Sequence, residues 1–261
     1  MKFTLSVQKL AVKTREGPDF RDLSFELGFG EAVAVTSVGP AELRKLLEVL
    51  AGLQRPTDGK VYWHRLAPLN VGKSGKTSRF RLYRTIRGLR LTNAYVSGSV
   101  ALFNDLSVFD NIALPLRYHF SPPERIVEER TERLIDLLRL ADVADEKPTN
   151  LHLGILQRAA LGRALILEPA ILFLDSPLSD VDTESARILF SVLKHYLKKI
   201  GLSVLATSYE PLSLLPLVSR VLVLFNGNVA HVLEGSDLGE RAFLENMNRF
   251  YEEFQLSRRR T

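Results

Sequence analysis

The sequence of 261 residues contains no cysteine. This absence excludes disulfide bonds, thiolate metal sites and thiol catalysis. The chain also has no apolar run of about 18 residues, the length at which a membrane-spanning helix is expected. Residues 1–6 lack the apolar segment and the small-residue cleavage site of a secretory signal. We therefore expect a protein of the cytoplasm.

Acidic residues are absent between Asp58 and Asp105. Basic residues occupy the same interval, which we call the basic segment: Lys60, Arg65, Lys73, Lys76, Arg79, Arg81, Arg84, Arg87 and Arg90. The whole chain carries a net charge of +5 and has a pI of about 9.4. Such a balance favours nucleic acid, anionic lipid or an acidic protein as a partner and does not choose among them.

Hydrophobic residues are plentiful, at 46%, so the chain can bury a sizeable core. Short apolar runs typical of buried strands alternate with segments in which apolar residues recur at helical spacing. Strands are predicted at residues 3–12, 23–27, 32–35, 60–63, 171–174, 203–207, 221–225 and 229–232, and helices at 41–53, 106–117, 123–141, 155–167, 183–200 and 236–255. This alternation indicates an α/β protein with a largely parallel sheet and helices on both faces.

The stretch of about 98–158 is predicted to be wholly helical, which suggests a helical lobe inserted into the α/β core. We expect one domain spanning 1–261, whose length suits a core with an inserted lobe. Its expected parts are a core of 1–97 and 159–235, the helical lobe of about 98–158, and a C-terminal helix with a basic tail at 236–261.

Three segments together resemble the ATP-binding subunits of ABC transporters. Residues 46–61, LLEVLAGLQRPTDGKV, resemble the segment after the family's phosphate loop, and residues 151–165 resemble its signature helix. Residues 167–175, LEPAILFLD, resemble the approach to its Walker B aspartate. The resemblance covers residues 3 to about 235. It implies the P-loop NTPase-like ABC ATPase fold, with a mainly parallel core sheet, an antiparallel β subdomain and an inserted helical lobe.

A subfamily is also suggested. Residues 99–117, SVALFNDLSVFDNIALPLR, resemble the start of the helical lobe in the ATPases of mammalian-cell-entry (MCE/Mla-type) lipid transporters, and RLYR at 81–84 is similar to that group too. The resemblance implies a homo- or heterodimer that docks on a membrane permease at the cytoplasmic face of the inner membrane, and so meets the membrane surface through the complex. Permease contacts are expected at Leu102, Phe103, Val108 and Phe109.

A phosphate loop needs glycines that let backbone N–H groups approach the phosphates, a lysine that reaches them, and a hydroxyl that holds Mg²⁺. By the resemblance this loop falls on residues 37–45. Its three glycine positions, its lysine position and its hydroxyl position are occupied by Ser37, Pro40, Glu42, Leu43 and Arg44, and the other residues of interest are Gly39 and Lys45. The residues therefore depart from the family pattern at each of these functional positions.

Two of the replacements oppose phosphate binding directly. Pro40 removes an N–H donor, and Glu42 places negative charge where a triphosphate would lie. Arg44 or Lys45 could act as a substitute cation, whereas a solvated helix start is the simpler interpretation. The sequence GKSGKT at 72–77 is not a phosphate loop, because no glycine stands five residues before either glycine that precedes its lysines. We interpret it as part of a basic loop.

The other nucleotide-site positions are altered as well. Gly98 takes the place of the glutamine that meets Mg²⁺ and water, Ser176 that of the general-base glutamate, and Tyr209 that of the switch histidine. The signature position holds Leu151, His152, Leu153, Gly154 and Ile155, in which His152 and Leu153 replace the serine and the first glycine and Gly154 keeps the second glycine.

Two aspartates do match the family, Asp175 of Walker B and Asp182 of the D-loop. Asp175 would be the metal ligand if Mg-ATP binds. On their own, the two aspartates can also be residues of the fold that cap loops and order the dimer interface.

Ser176 is a poor general base, because a serine hydroxyl cannot take a proton from water at neutral pH. Glu210, one residue beyond Tyr209, is the alternative base.

These changes favour a degenerate, pseudo-ATPase subunit with a structural or regulatory role on the permease, for which no tightly bound cofactor is expected and ATP and Mg²⁺ bind weakly at most. A slow ATPase that uses Arg44 or Lys45 is the first alternative. The second is a nucleic-acid-binding module built on the basic segment, where Phe80 and Tyr83 are the aromatic candidates. Because aromatic residues are so sparse there, no nucleic-acid partner is expected.

Overall fold

The computed structural model describes residues 3–15, 19–38, 41–63, 69–70, 88 and 91–258. Gly39, Pro40, the GKSGKT sequence and most of the basic segment lie outside these residues, and so does the RLYR sequence of the subfamily resemblance. No helix in the described ranges is long and apolar enough to cross a bilayer.

A six-stranded sheet forms the centre of the protein, with the strand order β10-β9-β3-β8-β7-β6. Its strands are β3 (Ala32–Val38), β6 (Asn93–Val96), β7 (Ile171–Asp175), β8 (Ser203–Thr207), β9 (Arg220–Phe225) and β10 (Asn228–Glu234). All neighbours pair in parallel except β9 and β10, which form an antiparallel hairpin through Asn226 and Gly227. Both turn residues have positive φ, as an Asn-Gly hairpin turn requires. The predicted parallel sheet is confirmed.

An antiparallel sheet of four strands lies beside it, in the order β2-β1-β4-β5. The strands are β1 (Phe3–Val12), β2 (Phe20–Gly28), β4 (Asp58–Trp63) and the two-residue β5 (Leu69–Asn70). This sheet confirms the antiparallel part that the family resemblance implies.

The main helices are α1 (Leu43–Leu50), α2 (Val108–Phe120), α3 (Glu124–Leu137), α4 (Leu153–Leu165), α5 (Thr183–Ile200) and α6 (Glu240–Arg258). Short 3-10 helices lie at Ala141–Val143, Pro148–Asn150, Pro211–Leu214 and Gly235–Leu238. The helix predicted at 183–200 is confirmed to the residue. It begins at the capping residue Asp182 and ends at Gly201, whose φ of +68° suits glycine.

Helices α2 to α4 lie between β6 and β7 in the chain, as an inserted helical segment. The expectation that 98–158 is wholly helical is wrong for residues 98–107, which form turns and irregular backbone, and also for the connections at 121–123, 138–140, 144–147 and 151–152. The buried side chain of Asn111 explains how the loop at 98–107 is held. It accepts a hydrogen bond from the amide of Phe103 at 2.8 Å and donates to the carbonyl groups of Phe103, Leu106 and Ser107.

The core has two parts, one on each face of the central sheet. Strand β3 serves both, because its side chains alternate: Ala32 and Ala34 pack with the helical side, whereas Val33 and Val35 pack with α1 and the antiparallel sheet. Because β3, β7 and β8 run parallel, their carboxyl ends meet at one edge of the sheet, where ligands of open α/β sheets bind.

Candidate functional site

Asp175 is the last residue of β7 and pairs with Thr207, the last residue of β8. Its carboxyl group accepts a hydrogen bond from Arg44 Nε at 2.7 Å, from Thr207 Oγ1 at 3.3 Å and from the Tyr95 hydroxyl at 3.5 Å. We call Arg44, Tyr95, Asp175 and Thr207 the strand-end cluster. It puts a guanidinium on the Walker B aspartate, at the position where the family resemblance implies a metal-binding hydroxyl.

Burial is the main reason that the pKa of Tyr95 is raised above its ordinary value, and the nearby charge of Asp175 adds to the effect. The phenol therefore stays neutral and can donate a hydrogen bond to the carboxylate. Asp175 itself is 4% exposed. A buried carboxylate needs such partners because it has lost its water.

Leu43, at the lysine position, is turned into the protein. It is 1% exposed and packs in the core between α1 and the antiparallel sheet. Because its side chain is apolar and buried, it cannot reach a phosphate. Ser37, at the first glycine position, is not in a loop either: it belongs to β3, pairs with Leu224 and is 5% exposed. The predicted loop start is therefore wrong, since the strand continues as far as Val38.

Both proposed substitute cations have other partners. Arg44 bonds Asp175, and the Lys45 ammonium donates a hydrogen bond to Gln54. The carboxylate of Glu42 accepts a hydrogen bond from the amide of Arg15 at 3.0 Å. The simpler interpretation of this segment, a helix start without a phosphate-binding role, agrees with these contacts.

Gly98 lies against the end of β7. A Cβ atom built on it would stand 2.8 Å from the carbonyl oxygen of Asp175 and 3.2 Å from that of Ser176. Backbone cannot yield as a flexible side chain does, so a glutamine at 98 would require the loop to move. Gln157, whose Nε2 donates to the Gly98 carbonyl at 3.0 Å, holds the loop from α4. The sequence offered no signal for this role of Gln157.

Ser176, at the general-base position, and Tyr209, at the switch-histidine position, both form hydrogen bonds within the fold. The amide of Ser176 donates to the Thr207 carbonyl at 2.9 Å, and its backbone has a positive φ of 46°. The Tyr209 hydroxyl donates to the carbonyl group of Ala41, just before α1. The alternative base, Glu210, lines an open groove of about 840 Å³ between the segment after β8 and α6.

The segment at the signature position of the family resemblance, residues 151–155, leads into α4. His152 precedes the helix, and Gly154 lies so close to α5 that an added Cβ would meet Asp182 Oδ2 at 2.2 Å and Ser185 Oγ at 2.4 Å. We call His152, Gly154, Asp182 and Ser185 the helix-start cluster. Leu151, Leu153 and Ile155 are half-buried beside it.

Asp182 caps α5 by accepting the amide hydrogen of Ser185 at 2.8 Å. This hydrogen bond is the main reason that the pKa of Asp182 is lowered, and the charge of His152 contributes. Asp182 therefore has a role within the fold as a helix cap, and its expected role in the D-loop stays a prediction. Among the described residues no group of three or more His, Asp or Glu side chains is arranged to hold a metal.

The predicted permease contacts differ in exposure. Phe103 is 55% exposed, Leu102 and Phe109 are half-buried, and Val108 is fully buried in the core. The prediction is therefore wrong for Val108, because the first turn of α2 packs inward. Tyr118, at the end of the same helix, is 78% exposed. Its exposure was not predicted, because the exposure of a single aromatic residue leaves no signal in the sequence.

Arg163, which lies beside Phe103, lines a cavity of about 170 Å³. The Arg163 guanidinium lies 6.0 Å from the ring centroid of Phe103, and burial lowers the pKa of Arg163. Tyr95, Pro115 and His119 line the cavity with Arg163. The structure thus places one cation next to the exposed ring of Phe103.

The comparisons with known proteins agree on one family. The family model described as ABC transporter matches residues 20–179. Among curated relatives, the molybdate/tungstate import ATP-binding protein WtpC of Thermococcus kodakarensis is 29% identical over 88% of this chain and 65% of its own length. The sulfate/thiosulfate import ATP-binding protein CysA of Escherichia coli K12 is 29% identical over 89% of this chain and 60% of its own length. The chain thus spans less than two thirds of these relatives.

Solved structures show the same fold. A dimeric ATP-binding cassette in a post-hydrolysis state, bound to ADP and Pi, superposes with a TM-score of 0.74 at 20% identity, covering 88% of this chain and 98% of that one. CbiO1 from Clostridium perfringens, part of the ABC transporter complex cbiONQ, superposes with a TM-score of 0.76 at 18% identity, covering 99% of this chain and 100% of that one. At these identities the likeness concerns the fold alone.

Proposed function

Because the chain belongs to the ABC transporter family, we propose that it is an ATP-binding-type subunit that has lost efficient ATP hydrolysis and serves its transporter complex in a structural or regulatory role. The observation that carries the proposal is the burial of Leu43 at the lysine position. Triphosphate binding in a phosphate loop depends on a cation at that place, and here the side chain is apolar and 1% exposed.

The position of the general base supports the same conclusion. Ser176 follows Asp175 directly, and a neutral hydroxyl does not deprotonate water. Pairing with an intact partner would not restore a full site. By family resemblance, a partner's phosphate loop would face His152 and Leu153, and a partner's signature would face the altered segment 37–45 of this chain.

We propose further that the subunit dimerises and docks on a membrane permease at the cytoplasmic face, with Phe103 at the contact. The exposed ring of Phe103 and the guanidinium of Arg163 beside it support this placement. We extend the proposal to a lipid transporter of the MCE/Mla type, on the strength of the segment 99–117. The curated relatives above are named for oxyanion import. The identity of the permease therefore decides between a lipid transporter and an importer of that kind.

Calorimetry with Mg-ATP tests the nucleotide half of the proposal. We expect no saturable heat at millimolar ATP and no phosphate release, either from the wild-type chain or from Ser176→Glu, because a restored base has no bound phosphate to act on. Saturable binding that Asp175→Asn abolished, together with turnover, would support the slow-ATPase alternative instead.

Site-specific photo-crosslinking in membranes of the source cells tests the docking half. A photoreactive residue at position 103 is compared with one at Leu256, which has almost the same exposure, 55% against 54%. We expect an integral membrane protein to be captured from position 103 alone, and mass spectrometry then identifies the permease class. Equal capture from both positions, or none from 103, would contradict the placement.

A further inference from the structure

The carboxylate of Asp175 already has a counter-charge within the chain. Arg44 Nε lies 2.7 Å from Asp175 Oδ2, and the side chains are 55% and 6% exposed, respectively. The carboxylate has therefore given up nearly all its water, while the guanidinium keeps about half of its solvent contact. Such a carboxylate depends strongly on the charge beside it, because removing one partner of a buried pair leaves the other uncompensated.

The other two partners of Asp175 are neutral. Thr207 Oγ1 and the Tyr95 hydroxyl donate hydrogen bonds at 3.3 Å and 3.5 Å, and both come from strands of the same sheet. Arg44 differs because it comes from the first turn of α1. Its bond therefore ties a helix to the sheet edge, whereas the other two stay within the sheet.

Mg-ATP, which the fold family implies at this edge, does not fit the residues present. The guanidinium of Arg44 occupies the oxygen of Asp175 that a metal would need, and the side chain at the lysine position is in the core. We propose that the Arg44 guanidinium replaces the divalent cation as the counter-charge of Asp175, and that Arg44 is thereby a positioning residue that holds the start of α1 against the end of β7 without metal or nucleotide.

A second contact supports this view from the opposite side. The Tyr209 hydroxyl, beyond the end of β8, donates to the carbonyl of Ala41, two residues before α1 begins. The start of α1 is thus connected to the ends of both β7 and β8. In a nucleotide-binding site, bound phosphate and metal would make such connections, and here the side chains of the chain make them.

The inference rests on the proposed function, because a chain that bound Mg-ATP tightly would have to release Asp175 to the metal. The two can nevertheless fail separately. Nucleotide binding is measured by calorimetry on the wild-type chain, whereas the ion pair is measured by the coupling of two substitutions in the absence of nucleotide.

The experiment is a thermal double-mutant cycle with Arg44→Ser and Asp175→Asn. Arg241→Ser is the matched control, since Arg241 Nε also bonds a carboxylate, Glu245, at 2.9 Å, but with both side chains largely exposed. We expect Arg44→Ser to lower the Tm by about 5–10 °C and Arg241→Ser by about 0–3 °C. In the Asp175→Asn background, Arg44→Ser should cost no more than the control does.

Two further readouts separate positioning from general stability. Arg44→Lys should lower the Tm by an intermediate amount, because it keeps the charge and loses the Nε geometry. Amide hydrogen exchange at the start of α1 should quicken in Arg44→Ser and stay unchanged in Arg241→Ser. Equal Tm losses for Arg44→Ser with and without Asp175, or a loss no larger than that of Arg241→Ser, would overturn the inference.

Discussion

The strand-end cluster and the helix-start cluster occupy the two places where the family's chemistry is expected, yet they have changed in different ways. In the strand-end cluster Asp175 remains and is covered by Arg44 from the position of the metal-binding hydroxyl. In the helix-start cluster Gly154 and Asp182 remain and keep their close contact.

The difference teaches which side chains the fold itself requires. Gly154 has no room for a Cβ, and Asp182 supplies the cap of α5, so both are needed whether or not nucleotide is bound. Leu43 and Arg44 stand at positions for which the family resemblance implies a role in nucleotide binding. The side chains found there have structural contacts instead: Leu43 packs in the core, and Arg44 forms an ion pair with Asp175.

Leu43→Ala gives the largest expected effect, because it leaves a cavity in a packed core. We expect a loss of about 2–5 kcal/mol in the free energy of unfolding. Leu153→Ala, the same change at a half-buried signature position, should cost clearly less. Urea denaturation of the two variants measures the difference. Equal losses would mean that Leu43 and Leu153 contribute equally to the stability of the fold, which would contradict the difference in their burial.

Gly98→Ala is expected to cost about 1–3 kcal/mol through overpacking, since the added Cβ would meet the Asp175 carbonyl at 2.8 Å. Gly239→Ala serves as the control, because there the Cβ meets only the Ser236 carbonyl at 3.4 Å and the backbone φ is −63°. Chemical denaturation should place the control within about 0.5 kcal/mol of the wild type. A neutral Gly98→Ala would show that the glutamine position had room for a side chain.

Tyr209→Phe should lower stability by about 0.5–1 kcal/mol, the range of a single hydrogen bond in a partly exposed setting. The ring stays in place and only the bond to the Ala41 carbonyl is removed. Tyr118→Phe, at a more exposed ring, should be neutral by the same denaturation measurement. If the two variants behaved alike, the connection between the switch position and α1 would carry no weight.

The smallest expected effect concerns the helix-start cluster, where the pKa of Asp182 can be measured. Because the Ser185 amide stabilises the charged form, the carboxyl should titrate below the ordinary range of aspartate. A depressed carboxyl pKa contributes stability that is present above the unfolded-state pKa and is lost as the pH falls through the folded-state pKa. Carboxyl NMR shifts across an acid titration measure it, and an ordinary pKa for Asp182 would contradict the cap.

Much of the fold could be predicted from the sequence. Apolar runs mark β3, β7, β8 and β9 of the central sheet, helical spacing marks 183–200 to the residue, and Asn226 with Gly227 marks the hairpin, whereas the edge strand β6 was not predicted. These succeed because local periodicity and turn chemistry report directly on burial and backbone conformation. The irregular backbone at 98–107 was missed because the buried Asn111 that supports it acts through tertiary contacts.

The sequence by itself determined which residues occupy the expected nucleotide positions: Leu43, Arg44 and Ser176 stand where the family resemblance implies a lysine, a hydroxyl and a base. It also placed Asp175 at the end of a buried strand. Only the tertiary structure decided what the replacements do. Arg44 and Asp175 are 131 residues apart in the chain, and no local pattern reports on a contact that the parallel sheet and the start of α1 create together.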